Sequence, residues 1–138
     1  MPAKDIIHEA VKNALIKDGW TITHDPFTLK IGDDNLFADL AAEKWIVAER
    51  REKKIVVEIK SFLGPSLFED LKVAIGQYII YQTLLPEVRP EYKLYLAVND
   101  VTYINDFQRQ SVALILKKNK VALLVVDVES EDVMEWIR

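Results

Sequence analysis

Lys54-Ile55-Val56-Val57-Glu58-Ile59-Lys60 runs into Ser61-Phe62-Leu63-Gly64-Pro65-Ser66, and the change of pattern at this join decides the fold. The first stretch is a β-branched apolar run, a strand, that ends on two charged residues at alternate positions. The second is a chain break with the Pro and Ser that open a helix. Upstream, residues 20–24, 27–31, 36–40 and 45–49 are short β-rich runs. They are separated by Asp25-Pro26, by the turn Gly32-Asp33-Asp34-Asn35 and by intervening polar residues, and the charged turn Arg50-Arg51-Glu52-Lys53 leads into residues 54–59. Downstream, Leu67, Leu71, Ala74, Ile75, Tyr78 and Ile79 form one helical stripe that is expected to end before Pro86.

Working further out, residues 4–18 carry Ile6, Ile7, Ala10, Val11, Ala14 and Leu15 at helical spacing, with Gly19 at the expected C-cap. Residues 94–98 and 121–126 are continuous apolar runs of the kind buried on both faces of a sheet, and residues 103–117 between them read as a helical crossover. The order of helix, antiparallel strands, helix, strand, helix, strand calls for an α/β fold with a mixed central sheet flanked by helices. With 138 residues and no repeat or linker, residues 1–138 are expected to form one domain.

The composition narrows the function. Cysteine is absent, which removes disulfides, thiolate metal sites and thiol nucleophiles together. No run approaches a membrane span and no signal peptide opens the chain, so a soluble, cytoplasmic protein without membrane contact is expected. Lys and Arg number 18 against 22 Asp and Glu, a formal charge of −4. Bulk positive charge therefore cannot hold DNA, and any nucleic-acid role needs local patches or a partner. His8 and His24 are too few and too scattered for a zinc site and read as surface residues. The four glycines form no phosphate-cradling loop.

One constellation carries chemistry. Asp39 sits in the strand run 36–40, and Glu58 and Lys60 point to one face of another strand while Val57 and Ile59 point to the other. Neighbouring strands lie ~5 Å apart, so Asp39 could stand beside Glu58. Two carboxylates that close repel unless a cation lies between them, and hard oxygen ligands suit Mg²⁺ or Mn²⁺. Such a cation polarises a phosphoryl oxygen and acidifies water, while a nearby lysine stabilises developing charge.

The tripeptide alone is uninformative. It occurs four times, at Glu52 with Lys54, Glu58 with Lys60, Asp70 with Lys72 and Glu91 with Lys93. Only Glu58 and Lys60 end an apolar strand, where burying charge is costly without a partner. The bland reading is an ion-pair cluster guarding a sheet edge. Gln77 and Tyr81 share one helix face four residues apart and could reach the same end of the sheet, although that spacing also serves plain packing. Gly76 beside them suggests the close approach of another backbone.

Asp39, Glu58-Ile59-Lys60 and Gln77-Tyr78-Ile79-Ile80-Tyr81 together resemble the PD-(D/E)XK nuclease superfamily, with Gln-x-x-x-Tyr similar to the third motif of its RecB-like branch. Ala38 stands where the signature has proline. Nearly the whole chain resembles the XisH family of excision controlling factors, through Asn13 to Pro26, Glu58 to Ser66 and Gly76-Gln77-Tyr78. The resemblance implies a restriction-endonuclease-like core acting in heterocyst-related excision of a DNA element. It implies DNA, an XisI-type protein and a site-specific recombinase as partners. By the superfamily pattern, Asp39, Glu58 and the Ile59 carbonyl would hold Mg²⁺ or Mn²⁺, with Glu9 as first-helix acid and Lys60 as catalytic lysine. A homo-oligomer is expected from the small size and acidic charge. The basic runs Arg50, Arg51, Lys53, Lys54 and Lys117, Lys118, Lys120 are solvated surface or phosphate contacts near the site.

Overall fold

The computed structural model describes the backbone of residues 3–138 and the side chains from residue 6 onward. Its elements are α1 (Ala3–Lys17), β1 (Thr21–His24), β2 (Phe27–Ile31), β3 (Asp34–Ala38), β4 (Leu40–Ile46), β5 (Arg51–Ile59), α2 (Leu67–Val88), β6 (Tyr92–Asn99), α3 (Asp100–Asn105), α4 (Gln110–Lys118), β7 (Leu123–Asp127) and β8 (Asp132–Ile137). Six strands form one sheet in the order β1-β4-β5-β6-β7-β8, and β2 with β3 forms a separate hairpin. β5, β6 and β7 run parallel, and the remaining neighbours are antiparallel. The fold is α/β with a mixed central sheet flanked by helices.

Alternation along β5 builds the two faces of the core. Ile55 and Val57 turn to α1, where Ile7, Val11, Ala14 and Leu15 recur at helical spacing. Val56 turns to α2, with Leu71, Ala74 and Tyr78, and the hairpin adds Phe27, Leu29 and Ala38 on the same side. Glu58 has the parity of Val56 and therefore faces α2.

The ends of the helices follow their sequence. Gly19 has φ +94°, and the Gly19 and Trp20 N–H groups donate to the Ile16 and Leu15 carbonyls, closing α1. Ser66 caps α2 by accepting from the Glu69 N–H, as Ser-x-x-Glu spacing implies.

Several expectations need correction. Residues 36–40 are not one strand. β3 ends at Ala38 and β4 begins at Leu40, because the chain leaves its pairing with β2 and joins β1 and β5. The strand expected over 45–49 is the end of β4 followed by a 3-10 turn, Val47–Glu49, and the charged turn shrinks to Arg50 at φ 51° while Arg51, Glu52 and Lys53 enter β5. α2 continues through Pro86, which gives up one i→i−4 hydrogen bond in the last turn while Leu85 beside it stays buried and its carbonyl accepts the Arg89 N–H. Ile79, expected on the buried stripe, is exposed. Residues 103–117 divide into α3 and α4 because Asn99 caps an earlier start by accepting from the Thr102 N–H. β8 was not foreseen. A Cβ built on Gly76 meets nothing within 4 Å, so no backbone approaches there.

No described helix is long and apolar enough to cross a membrane.

Candidate active site

Asp39 occupies the switch between the hairpin and the sheet. Freed from both ladders, its carboxylate Oδ2 accepts the Ile59 N–H at 2.7 Å and so continues the β4–β5 pairing with a side chain in place of a backbone carbonyl. The next residue in that register is Glu58, only 6% exposed and the one charged side chain buried among the described residues. Burial pushes the Glu58 carboxyl up to about 8, helped by the charge of Asp39 and by a hydrogen bond between the two carboxyls, while the positive charge of Lys60 works against the rise. The Glu58 carboxyl therefore keeps its proton at neutral pH, where a free glutamate would be ionised.

Lys60 follows the end of β5. Its N–H donates to the Ala97 carbonyl, extending the parallel ladder to β6, and its side chain opens onto a cleft of about 130 Å³ shared with Ser61, Phe62 and Asp70. Asp70 accepts the Gly64 N–H at 2.8 Å, and a Cβ on Gly64 would fall 2.6 Å from the Asp70 carboxylate, so glycine is required for this approach.

α2 supplies the third wall. The buried Tyr81 hydroxyl donates to the Phe37 carbonyl, two residues before Asp39, and so holds the switch segment against the helix. Burial, followed by the charges of Glu58 and Asp39, pushes its phenol up to about 12, which keeps it a donor across the physiological range. One turn earlier, the Gln77 Oε1 is buried with no hydrogen-bond partner among the described residues. An unpaired buried acceptor is costly and calls for a donor or a cation.

Asp39, Glu58, Lys60 and Tyr81 thus meet where β4 begins and β5 ends, with Gln77 on the same helix face. Glu9 is exposed and makes no hydrogen bond among the described residues. The α1 residue that reaches the pair is His8, which the sequence reading left on the surface. Its Nε2 lies 3.0 Å from Asp25 and its Nδ1 4.0 Å from Asp39, and Lys12 donates to Asp25 from the next turn. Burial opposes it, but the Lys12 hydrogen bond and the charges of His8 and Lys12 hold Asp25 below the usual carboxylate range. The signal available in sequence was only that His8 and Lys12 share a helix face four residues apart.

The basic runs are not near this site. Arg50, Arg51, Lys53 and Lys54 lie at the start of β5, the opposite end from Glu58, and Lys117, Lys118 and Lys120 lie at the corresponding end of β7.

Among the described residues no three His, Asp or Glu side chains converge as a ready-made metal cage. The donors that stand together, the Asp39 and Glu58 carboxylates with the strand carbonyl of Ile59 beside them, are hard oxygens of the kind that fit Mg²⁺ or Mn²⁺ completed by water.

The XisH family model, described as XisH protein, matches residues 1–134. An XisH family protein from Nostoc punctiforme PCC 73102 has a solved structure 42% identical to this chain, with a TM-score of 0.88, covering 97% of this chain and 100% of that one. A structure described as an fdxN element excision controlling factor protein from Anabaena variabilis is 44% identical, also with a TM-score of 0.88, covering 97% and 99%. No curated protein matches. With agreement over nearly its whole length, in sequence and in fold, this chain belongs to the XisH family.

Proposed function

We propose that this protein is a controlling factor in the programmed excision of a DNA element, with a site at Asp39, Glu58 and Lys60 that hydrolyses DNA phosphodiesters with a divalent cation. The first half of the reading rests on the family and on the description of the Anabaena variabilis relative. The second rests on one observation, the buried Glu58 carboxyl standing next to the half-buried Asp39, whose Oδ2 accepts the Ile59 N–H, at the end of β5 beside Lys60. In this reading the domain is a PD-(D/E)XK, restriction-endonuclease-like core.

In this reading Asp39, Glu58 and the Ile59 carbonyl hold Mg²⁺ or Mn²⁺, and Glu9 would have to turn in from solvent to join them. The cation supplies Lewis-acid polarisation and acidified water. Lys60 places a positive charge where the phosphorane-like charge develops. Tyr81 fixes the switch segment through Phe37, and Gln77 offers its unpaired amide oxygen to a bound group. The proposed partners are DNA, an XisI-type protein and a site-specific recombinase, with self-association into a homo-oligomer.

A second reading is favoured because, among the described residues, no third acidic ligand stands beside the pair. In it the domain is a catalytically silent nuclease-fold module that assembles with an XisI-type partner and the recombinase. Cleavage of plasmid and single-stranded DNA in Mg²⁺ or Mn²⁺ separates the two, with wild type set against Glu58→Ala and Lys60→Ala, with and without the partner. Metal-dependent nicking lost in both variants supports the nuclease. No turnover under any condition supports the module.

A further inference from the structure

The opposite end of the sheet carries a second feature, independent of the carboxylate pair. Three neighbouring clefts open there, of about 530, 260 and 220 Å³. Arg138 lines all three, Lys120 lines the first two, and Lys93 lines the last two, so they adjoin as a trough that wraps the end of the sheet, the first two on its α2 face and the third on its α1 face. Topology explains the clustering. Lys53 and Lys93 sit near the starts of the parallel strands β5 and β6, Lys120 precedes β7, and Arg138 follows the antiparallel β8.

The charge is one-sided. Lys44, Lys53, Lys93, Lys117, Lys120 and Arg138 line the trough, six of the chain's 18 cations, against one of its 22 acids, Asp18. Asp18 is itself engaged by Lys44. The other five cations form no ion pair among the described residues. Glu49 lies close enough to feel Lys53 and Arg138, but is bonded to Arg51. Burial, then Arg138 and Lys53, hold the Lys93 ammonium below its ordinary range, the sign of cations crowded without a counterion. In a chain of net charge −4, such a cluster stands out as a site for an anion.

The floor of the largest cleft identifies the anion. Phe107, Leu116, Val121 and Leu123 make it apolar, Tyr103 and Gln108 border it, and Lys117, Lys120 and Arg138 add their charges. A run of carboxylates on an acidic peptide has no use for an apolar slot of this size. A nucleotide needs both parts, an apolar place for a planar base and cations for its phosphates. Half-buried Trp136 lies further along the trough, packed against the buried Tyr95 ring over which Lys93 Nζ sits at 5.4 Å.

We infer that this cationic end of the sheet binds a nucleic-acid strand with an unpaired base, its phosphates along Lys93, Lys117, Lys120 and Arg138 and the base in the cleft beside Tyr103 and Phe107. The site is separate from the carboxylate pair, so it would hold a strand without cutting it.

The test is fluorescence anisotropy of a labelled oligo(dT) in EDTA, which silences any metal-dependent site, over a range of salt concentrations. Wild type is compared with Lys93→Glu/Lys117→Glu, both exposed positions, and a duplex of equal length and poly-glutamate serve as competitors. The double variant should bind about tenfold or more weakly, with a log–log salt slope lower by about 1.4 for two lost phosphate contacts. An unchanged thermal shift of the double variant with Mn²⁺ would show that its fold and carboxylate site are intact. Duplex or poly-glutamate competing as well as oligo(dT), or charge reversal without effect, overturns the proposal.

Discussion

Asp39 accepts the backbone N–H of Ile59 through a 2.7 Å hydrogen bond that ties the switch between two sheets to the end of β5. The same bond fixes one Asp39 oxygen and leaves the other toward His8. Glu58, the residue before Ile59, is thereby held next to a second carboxyl, and the predictions about the site follow from that proximity.

The Glu58 proton should make the metal-free protein less stable as pH rises. Its carboxyl titrates at about 8 in the folded state and near its ordinary 4.5 when unfolded, so the folded protein binds the extra proton between those values. This stabilisation is complete below about pH 4.5 and is lost as pH rises through 8. Each unit of separation corresponds to about 1.4 kcal/mol. Urea denaturation in EDTA from pH 5 to 9 should show the decline in wild type, and Glu58→Gln should flatten it.

Mg²⁺ or Mn²⁺ should reverse that decline. A ligand present at 100 times its Kd stabilises the folded state by about 2.7 kcal/mol, and the gain should be larger at pH 8 than at pH 6, where the cation competes with the proton. Thermal melts with and without metal measure it. Asp39→Asn should remove the metal-dependent shift, and persistence of the full shift in that variant would place the cation elsewhere.

Tyr81→Phe removes the hydroxyl that holds the Phe37 carbonyl while keeping the ring. The cost should be about 1 kcal/mol of stability, or about 4 °C in Tm. Because the bond positions the segment before Asp39, metal affinity should fall more than stability alone explains. Isothermal titration with Mn²⁺ on the folded variant reads the difference.

Gly76→Ala should stabilise the protein by about 0.5–1 kcal/mol. Glycine inside a helix costs that much relative to alanine, and the added methyl meets nothing within 4 Å. A loss of stability, or a change in the molecular mass in solution, would mean that a partner backbone packs on this face.

The sequence made β5 and α2 legible because each carries its own punctuation: β-branched residues ending on Glu58 and Lys60 for one, the Gly64-Pro65-Ser66 break for the other. It also placed Asp39 beside Glu58, since alternation and strand spacing suffice for that. The break at Asp39 was not legible, because it arises when one segment finds β2 as its partner and the next finds β5. β8 escaped because Asp132, Met134 and Glu135 are exposed on an edge strand, which weakens its alternation. His8 escaped because its approach to Asp39 is a product of how α1 lies across the sheet.

The exchange of strands at Asp39 makes the carboxyl pair a clasp across a seam. Asp39 moves with the β2–β3 hairpin as much as with the sheet, whereas Glu58 belongs to the sheet alone. Anything that draws the two carboxylates together also fastens the hairpin to the core. Backbone amides of β2 and β3 should therefore exchange with deuterium more slowly when the site is filled, and a protein grasping the hairpin would reach the site without touching it.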